Sequence, residues 1–416
     1  RIHEAMTQTE QRKIAVIGGG AAGMMAAGAA SALGADVTLY EHTDRLGKKL
    51  AITGKGRCNV TNACTPQEFL SNVPHNPRFL YAALSAFSPE DTVAHFERLG
   101  VKLKTERGNR VFPESDRAKD IVLAMADYAK GAKKRFENVR AVHCAADGTF
   151  TVSAESEETY DAVILATGGR SYPLTGSDGS GYRIARKLGH TVTPLSPSLV
   201  PLESPDPICA ELQGLSLKNV GIRIQKEGRT VYEDFGEMLF THFGVSGPTV
   251  LSASAHLVGQ DISSLSFHID LKPALDEATL DARLLSDFSE RNNRDFSHAL
   301  DALLPAKLKE PFILRTGIDP KKKVHTVTRE ERHHVLSLLK DLSFPLSGFR
   351  PIEEAIVTSG GVDVREVVPG TMESKIHPGL FFAGEILDVD AYTGGFNLQI
   401  AFSTGYLAGT HAALSY

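Results

Sequence analysis

The chain has 416 residues with 45 Lys and Arg against 50 Asp and Glu, a net charge of −5, so two or three domains with sizeable cores are expected, with no general attraction to nucleic acid or to an anionic membrane surface. Four cysteines, and no apolar leader ending in a small-residue cleavage site, argue against a disulfide framework and for a cytoplasmic protein with free thiols. Arg1 to Ala5, ahead of Met6, match nothing that follows and read as an appended remnant.

The first elements are the most informative. Ile14-Ala15-Val16-Ile17 reads as a strand, Gly18-Gly19-Gly20 as a turn, Ala21 to about Leu33 as a helix of small residues, and Val37-Thr38-Leu39-Tyr40 as a second strand. The uncharged stretch from Ile14 to Ala35 is long enough to span a bilayer, but glycine turn and resumed strand make it strand, turn, helix, strand. Gly18, Gly20 and Gly23 fit G-x-G-x-x-G in that setting. The first glycine permits the tight turn, the second lets a pyrophosphate approach the backbone, and the third lets helix and strand pack closely. The helix start, which includes Ala22, offers N–H groups to phosphates. Glu41 ends the second strand at the spacing where a carboxylate accepts hydrogen bonds from a ribose, which favours NAD or FAD over NADP. Alone, the glycine pattern is no more than a tight turn in an α/β protein.

Beyond Glu41 runs a glycine-rich, basic stretch that holds Lys49, Gly54, Arg57, Cys58 and Asn59. In a FAD protein this position passes the pyrophosphate and ribityl chain toward the isoalloxazine, where backbone donors and a cation are useful; otherwise it is a solvated loop. Cys58 and Cys64 have the look of a redox pair, but five residues intervene rather than four, and free thiols are expected. Val139 joins the expected cofactor contacts. Ala162 to Leu165 reads as a buried strand entering Thr167-Gly168-Gly169. Five prolines between Pro194 and Pro207 mark a linker. Short β-type runs follow from Leu215 to about Leu271, then helical periodicity over Leu275 to Leu304 and Arg329 to Leu339. Adjacent His333 and His334 point apart on a helix, so no metal site is expected; Lys321-Lys322-Lys323 reads as a solvated turn. Near the end, Gly379 to Glu385 is another strand ending in glycine and acid. Gly394-Gly395-Phe396-Asn397-Leu398-Gln399 opens a helix whose start offers donors to the flavin N1 and O2 region. Gly384, Glu385, Gly395, Phe396, Asn397 and Leu398 are therefore expected cofactor contacts.

These segments in this order resemble the flavoproteins with two dinucleotide-binding domains. Thr53 to Asn62, Gly236 to Pro248 and Gly384 to Gln399 more closely resemble the BaiN/YhiN-type flavoproteins, also known as the aminoacetone oxidase family of FAD-binding enzymes, with departures at Ala391 and Phe396, where glycine and tyrosine are common. The likeness runs from Lys13 onward. It implies non-covalent FAD and an α/β fold, a Rossmann-like FAD-binding domain (12–192 and 351–416) interrupted by an inserted β-barrel-like substrate subdomain (193–272) and a small helical subdomain (273–350). The insert carries no second glycine fingerprint, so NAD(P)H as transient reductant would use another kind of site. Thr241, His242 and Tyr392 are the candidate catalytic residues, because a histidine relays protons near neutral pH and the others are polar groups expected to face the ring. The implied activity is hydride transfer between flavin N5 and a small organic substrate: reduction of a conjugated, bile-acid-like C=C, or amine oxidation with oxygen. A flavin-dependent RNA-modification protein and a non-catalytic flavin sensor are the readings of another class, and composition does not favour RNA. No nucleic-acid or membrane partner is expected, and the protein is expected to be a monomer or homodimer.

Overall fold

Strand β1 (Lys13–Ile17) is buried from Ile14 onward with no alternation of faces, the pattern of a central parallel strand covered on both sides. The chain turns at Gly18 into helix α1 (Ala21–Ala32) and returns as β2 (Asp36–Tyr40). Strands β3 (Lys133–Arg135), β4 (Ala162–Leu165) and β5 (Leu380–Phe382) complete a sheet of order β5-β4-β1-β2-β3, parallel throughout. The order reverses between β1 and β4, the switch point where such sheets bind ligands at their carboxyl ends. Between β3 and β4 lies an antiparallel meander of Ala141–Cys144, Phe150–Ser153 and Glu157–Tyr160.

The computed structural model describes residues 11–414, and the remnant proposed for Arg1 to Ala5 lies outside them. The chain forms two compact units, Arg1–Pro197 with Ile352–Tyr416, and Ser198–Pro351. In the second unit, strands Ser216–Lys226 and Leu265–Asp270 alternate buried and exposed residues, as strands with one solvated face do. They belong to a seven-stranded antiparallel sheet whose two edge strands, Leu342–Pro345 and Gly348–Phe349, are joined by only two residues.

The stretch read as helical over Leu275 to Leu304 is helix only over Glu277–Glu290; turns through Arg291 and a single 3-10 turn at Phe296–His298 follow. A further helix, Ala306–Thr316, runs through Pro311, a residue that sequence rules treat as a breaker. Helix and sheet residues of this unit share one hydrophobic core, in which Phe267, Leu284, Phe312 and Val335 are all buried. The β-rich and helical stretches are thus one unit and not two. No helix among the described residues is long and apolar enough to cross a membrane.

The last helix, α2 (Phe396–Leu414), lies along α1. A Cβ at Gly405 would stand 2.5 Å from the Ala22 carbonyl oxygen, and one at Gly409 2.3 Å from that of Ala26. Glycines one turn apart let the backbones meet, and any side chain there overpacks the contact. Gly409→Ala is expected to lower stability by roughly 1–3 kcal/mol, read as a lower urea midpoint at an unchanged slope; an unchanged midpoint would mean that the helices part at no cost.

Candidate flavin site

The cleft at the carboxyl ends of β1 and β4 holds about 1330 Å³ of open space, counting its mouth, and is lined wholly by the first unit. Gly18 sits at φ 109, and a Cβ on it would come within 2.2 Å of the Ala166 carbonyl oxygen. One on Gly23 would come within 1.7 Å of Gly18 O. These two glycines are required by backbone contact, whereas Gly20 faces open space, with nothing within 4 Å of a Cβ. Helix α1 starts there with no side-chain cap and no acid in its first turn, so its leading N–H groups and the positive end of its dipole are available to an anion.

Glu41 lines the cleft beside this turn. Its Oε1 accepts the Gly19 N–H at 3.2 Å and its Oε2 the Thr43 N–H and hydroxyl at 3.1 and 2.8 Å. That fixes the carboxylate, which retains acceptor capacity. Val139 is in the same wall with Glu137 and Asn138. Two buried polar atoms of the wall, Glu137 Oε2 and Thr167 Oγ1, have no hydrogen-bond partner in the protein.

Lys49 and Glu385 meet across the opposite wall. Lys49 Nζ donates to Glu385 Oε2 at 2.9 Å and to Ser171 Oγ at 2.8 Å, and Glu385 Oε1 accepts the Thr358 N–H at 2.7 Å. Thr358 Oγ1 in turn accepts the N–H groups of Arg170 and Ser171. This cluster ties four distant stretches of chain to one another. Asn397 lines the cleft as well, but its amide is spent on the backbone: Oδ1 accepts the Ala391 N–H at 2.9 Å, and Nδ2 donates to Ala391 O at 2.8 Å.

Of the residues expected from sequence, the cleft wall brings together Gly18, Gly20, Ala22, Glu41, Lys49, Val139, Thr167, Gly168, Gly384, Glu385, Asn397 and Leu398. Gly23, Gly169 and Gly395 stand behind it as close-packing positions; a Cβ on Gly395 would be 2.3 Å from Thr61 O. Phe396 is buried behind the wall, edge-on to Phe69. Gly54, Arg57, Cys58 and Asn59 also lie outside the wall. Arg57 pairs with Glu106 and Asp116 at 2.5 and 2.6 Å and stacks on Phe112 at 4.1 Å. Two carboxylates therefore already neutralise the cation that the sequence offered to the cofactor. Asn59 Oδ1 is buried without a partner. Tyr392 is outside the wall too, its N–H given to Asn72 O at 3.0 Å. Thr241 and His242 belong to the second unit, where strand Arg229–Thr241 ends in a tight return to Gly244; the His242 ring packs on Phe243. Sequence reasoning missed Glu137, Ser171 and Thr358. Ser171 closely follows Thr167-Gly168-Gly169, a usable signal, but nothing local marks Thr358.

The glycine cradle, the uncapped helix start and Glu41 fit a dinucleotide such as FAD, which Gly18 to Ala22 and Glu41 would hold. The sequence profile of the HI0933-like protein Rossmann domain matches residues 12–411. The chain belongs to this family. Its members of the BaiN/YhiN type are FAD-dependent oxidoreductases, and so is this chain. Within the HI0933-like family, it is 31% identical over 409 residues to the 3-dehydro-bile acid delta(4,6)-reductase of Clostridium scindens, covering 96% of this chain and 99% of that protein. It is 32% identical over 395 residues to the ribosomal RNA dihydrouridine synthase of Escherichia coli, covering 94% and 95%. Among solved structures, the Mycobacterium smegmatis Sdh1 complex in the apo form superposes with TM-score 0.50 at 16% identity over 97% of this chain and 68% of that one, a likeness of fold alone.

All four cysteines are free, and burial pushes the Cys58 thiol up to about 12 and that of Cys64 to about 11. Both are then thiols, not nucleophilic thiolates, at neutral pH. Maleimide at pH 7 is expected to label exposed Cys144 in the folded protein and Cys58 only after unfolding, as mass spectrometry of peptides would show; rapid native labelling of Cys58 would restore the redox-pair reading. Because Gly20 has open space before it, Gly20→Glu is expected to fold, with unchanged circular dichroism, and to purify colourless, its carboxylate repelling the pyrophosphate. Yellow Gly20→Glu protein that releases FAD on denaturation would place the cofactor elsewhere.

Proposed function

We propose that this protein reduces a carbon–carbon double bond conjugated to a carbonyl group in a small, bile-acid-like organic acid, with NAD(P)H as the source of electrons. When bound, FAD supplies the hydride at N5. The chain's own residues do the rest of the work. The turn at Gly18 to Ala22 holds the pyrophosphate and Glu41 a ribose. The Lys49–Glu385 pair sets a fixed cation and anion in the wall, and Asn397 fixes the backbone that borders the ring. Fixed charges and donors of this kind stabilise developing charge without reorganising during the reaction.

The observation that carries this reading is the end-to-end likeness to the Clostridium reductase, whose name describes saturation of double bonds conjugated to a 3-oxo group. A second reading, reduction of a uracil base in ribosomal RNA, is favoured by the name of the Escherichia coli relative. It uses the same bond chemistry, since the uracil double bond is also conjugated to a carbonyl. The net charge of −5 weighs against RNA only as an average over the chain.

The test is anaerobic. Addition of NADH or NADPH is expected to bleach the flavin, and a 3-oxo-4,6-diene bile acid to bring the colour back. Return of colour only with unmodified ribosomal RNA would select the second reading. Bleaching by amines, with colour returning only in air, would overturn both.

A further inference from the structure

Saturating a C=C beside a carbonyl needs a proton as well as a hydride. His42 lines the cleft beside Glu41, next to the glycine turn, and the polar groups toward the last helix are already engaged. Lys49 and Glu385 are bonded to each other, and the Asn397 amide is taken up by backbone. The segment 388–392 reaches the cleft through Val389, with Asp390 and His75 one layer behind the wall, and is strapped from several directions. Asn76 Nδ2 donates to Asp388 O at 2.7 Å, Tyr392 N–H to Asn72 O at 3.0 Å, and Asn397 clamps Ala391. Within it, Asp390 is 1% exposed, accepts the Ser359 hydroxyl at 3.1 Å, and has its Oδ1 3.0 Å from His75 Nδ1. Its other oxygen, Oδ2, is buried with no partner.

This is costly unless it serves something. A buried carboxylate with a free oxygen is disfavoured without a cation, and the cation available is the imidazolium of His75. The His75 side chain remains 30% exposed, and its Nε2 takes no hydrogen bond among the described residues. One ring nitrogen is thus fixed by a carboxylate and the other is left to carry a proton, the arrangement of an oriented acid–base histidine.

We propose that His75 is the proton donor of the reduction and that Asp390 is its positioning residue. This rests on the carbonyl-conjugated alkene reading. The π bond breaks as hydride from the reduced flavin adds to the carbon β to the carbonyl. The α carbon takes the His75 proton, and solvent reprotonates the ring. The groups facing His75 are Asp390, which raises its pKa most, and Asp388, which adds in the same direction, while burial opposes them. Asp388 itself is pushed up by burial, with Asp390 and Asp363 adding to the rise. The donor form is the protonated ring. Re-oxidation is therefore flat at low pH and is lost as pH rises through the raised pKa of His75.

The experiment times only the return of colour, on enzyme already bleached with titrated dithionite, when a 3-oxo-4,6-diene bile acid is added. His75→Gln is expected to slow it about 100-fold or more, the usual contribution of a general acid, with added imidazole restoring part of the rate. Asp390→Asn is expected to move the alkaline limb of the pH profile to lower pH. Imidazole NMR gives a readout apart from turnover: the His75 resonances are expected to shift on FAD loading, and to titrate at lower pH in Asp390→Asn. Wild-type re-oxidation with an equally fast His75→Gln, or His75 resonances indifferent to both FAD and Asp390→Asn, would overturn the dyad alone. A wild type that no carbonyl-conjugated alkene re-oxidises overturns the reading beneath it, and the proton donor with it.

Discussion

The contact between α1 and α2 is the constraint on which the site depends. The FAD-binding unit is built from two stretches of chain, Arg1–Pro197 and Ile352–Tyr416, so the glycine turn that starts the cleft and the segments that finish it are more than 300 residues apart. They meet because Gly405 and Gly409 let α2 press directly on the backbone of α1 at Ala22 and Ala26. The same contact sets Gly384 against Ala22 and gives its N–H to Thr404 of α2 at 2.9 Å. Small residues along a helix have little hydrophobic surface to bury; what they contribute is proximity, and proximity aligns the opposite walls of the cleft.

Polar ties then hold the walls in register. The Lys49–Glu385–Ser171–Thr358 cluster joins chain segments that no regular secondary structure connects, and its ion pair is about one-fifth exposed. At that depth each hydrogen bond to a charged group is stronger than at the surface, and loss of one partner strands the other. By contrast, the Arg57, Lys104, Glu106 and Asp116 network is about one-third exposed, where solvent screening leaves each pair little net value. Its four charges, two of each sign, balance. Its consequence for function is negative: Arg57 turns its charge toward the protein.

Residue type pointed to His242, a histidine in a long glycine- and proline-bracketed motif, but that histidine belongs to the inserted unit and packs on Phe243. His75 had no motif around it. It stands out only because folding sets it opposite Asp390, 315 positions away, beside a strap whose other members are bonded to Asn72, Asn76 and Asn397.

Much of the architecture was legible in the sequence because it depends on local pattern. The continuous apolar runs Ile14–Ile17 and Ala162–Leu165 announce buried parallel strands, alternation announces the solvated strands of the insert, and Gly18, Gly20 and Gly23 announce a phosphate turn wherever they fall between strand and helix. The long motifs at Thr53 to Asn62, Gly236 to Pro248 and Gly384 to Gln399 carried the resemblance to the family. The sequence could not separate residues that face the cleft from those that stand one layer behind it, since Gly20 and Gly23 look alike and only the backbone at Gly18 distinguishes them. Nor could it show that Arg57 is already neutralised, that Pro311 is carried inside a helix, or that sheet and helices of the insert share one core. Those depend on which distant groups meet, and long-range proximity leaves no trace in local composition. So the sequence by itself determined the cofactor class and the order of the elements that hold it, while the tertiary structure alone decided which side chains remain free to act on a ligand.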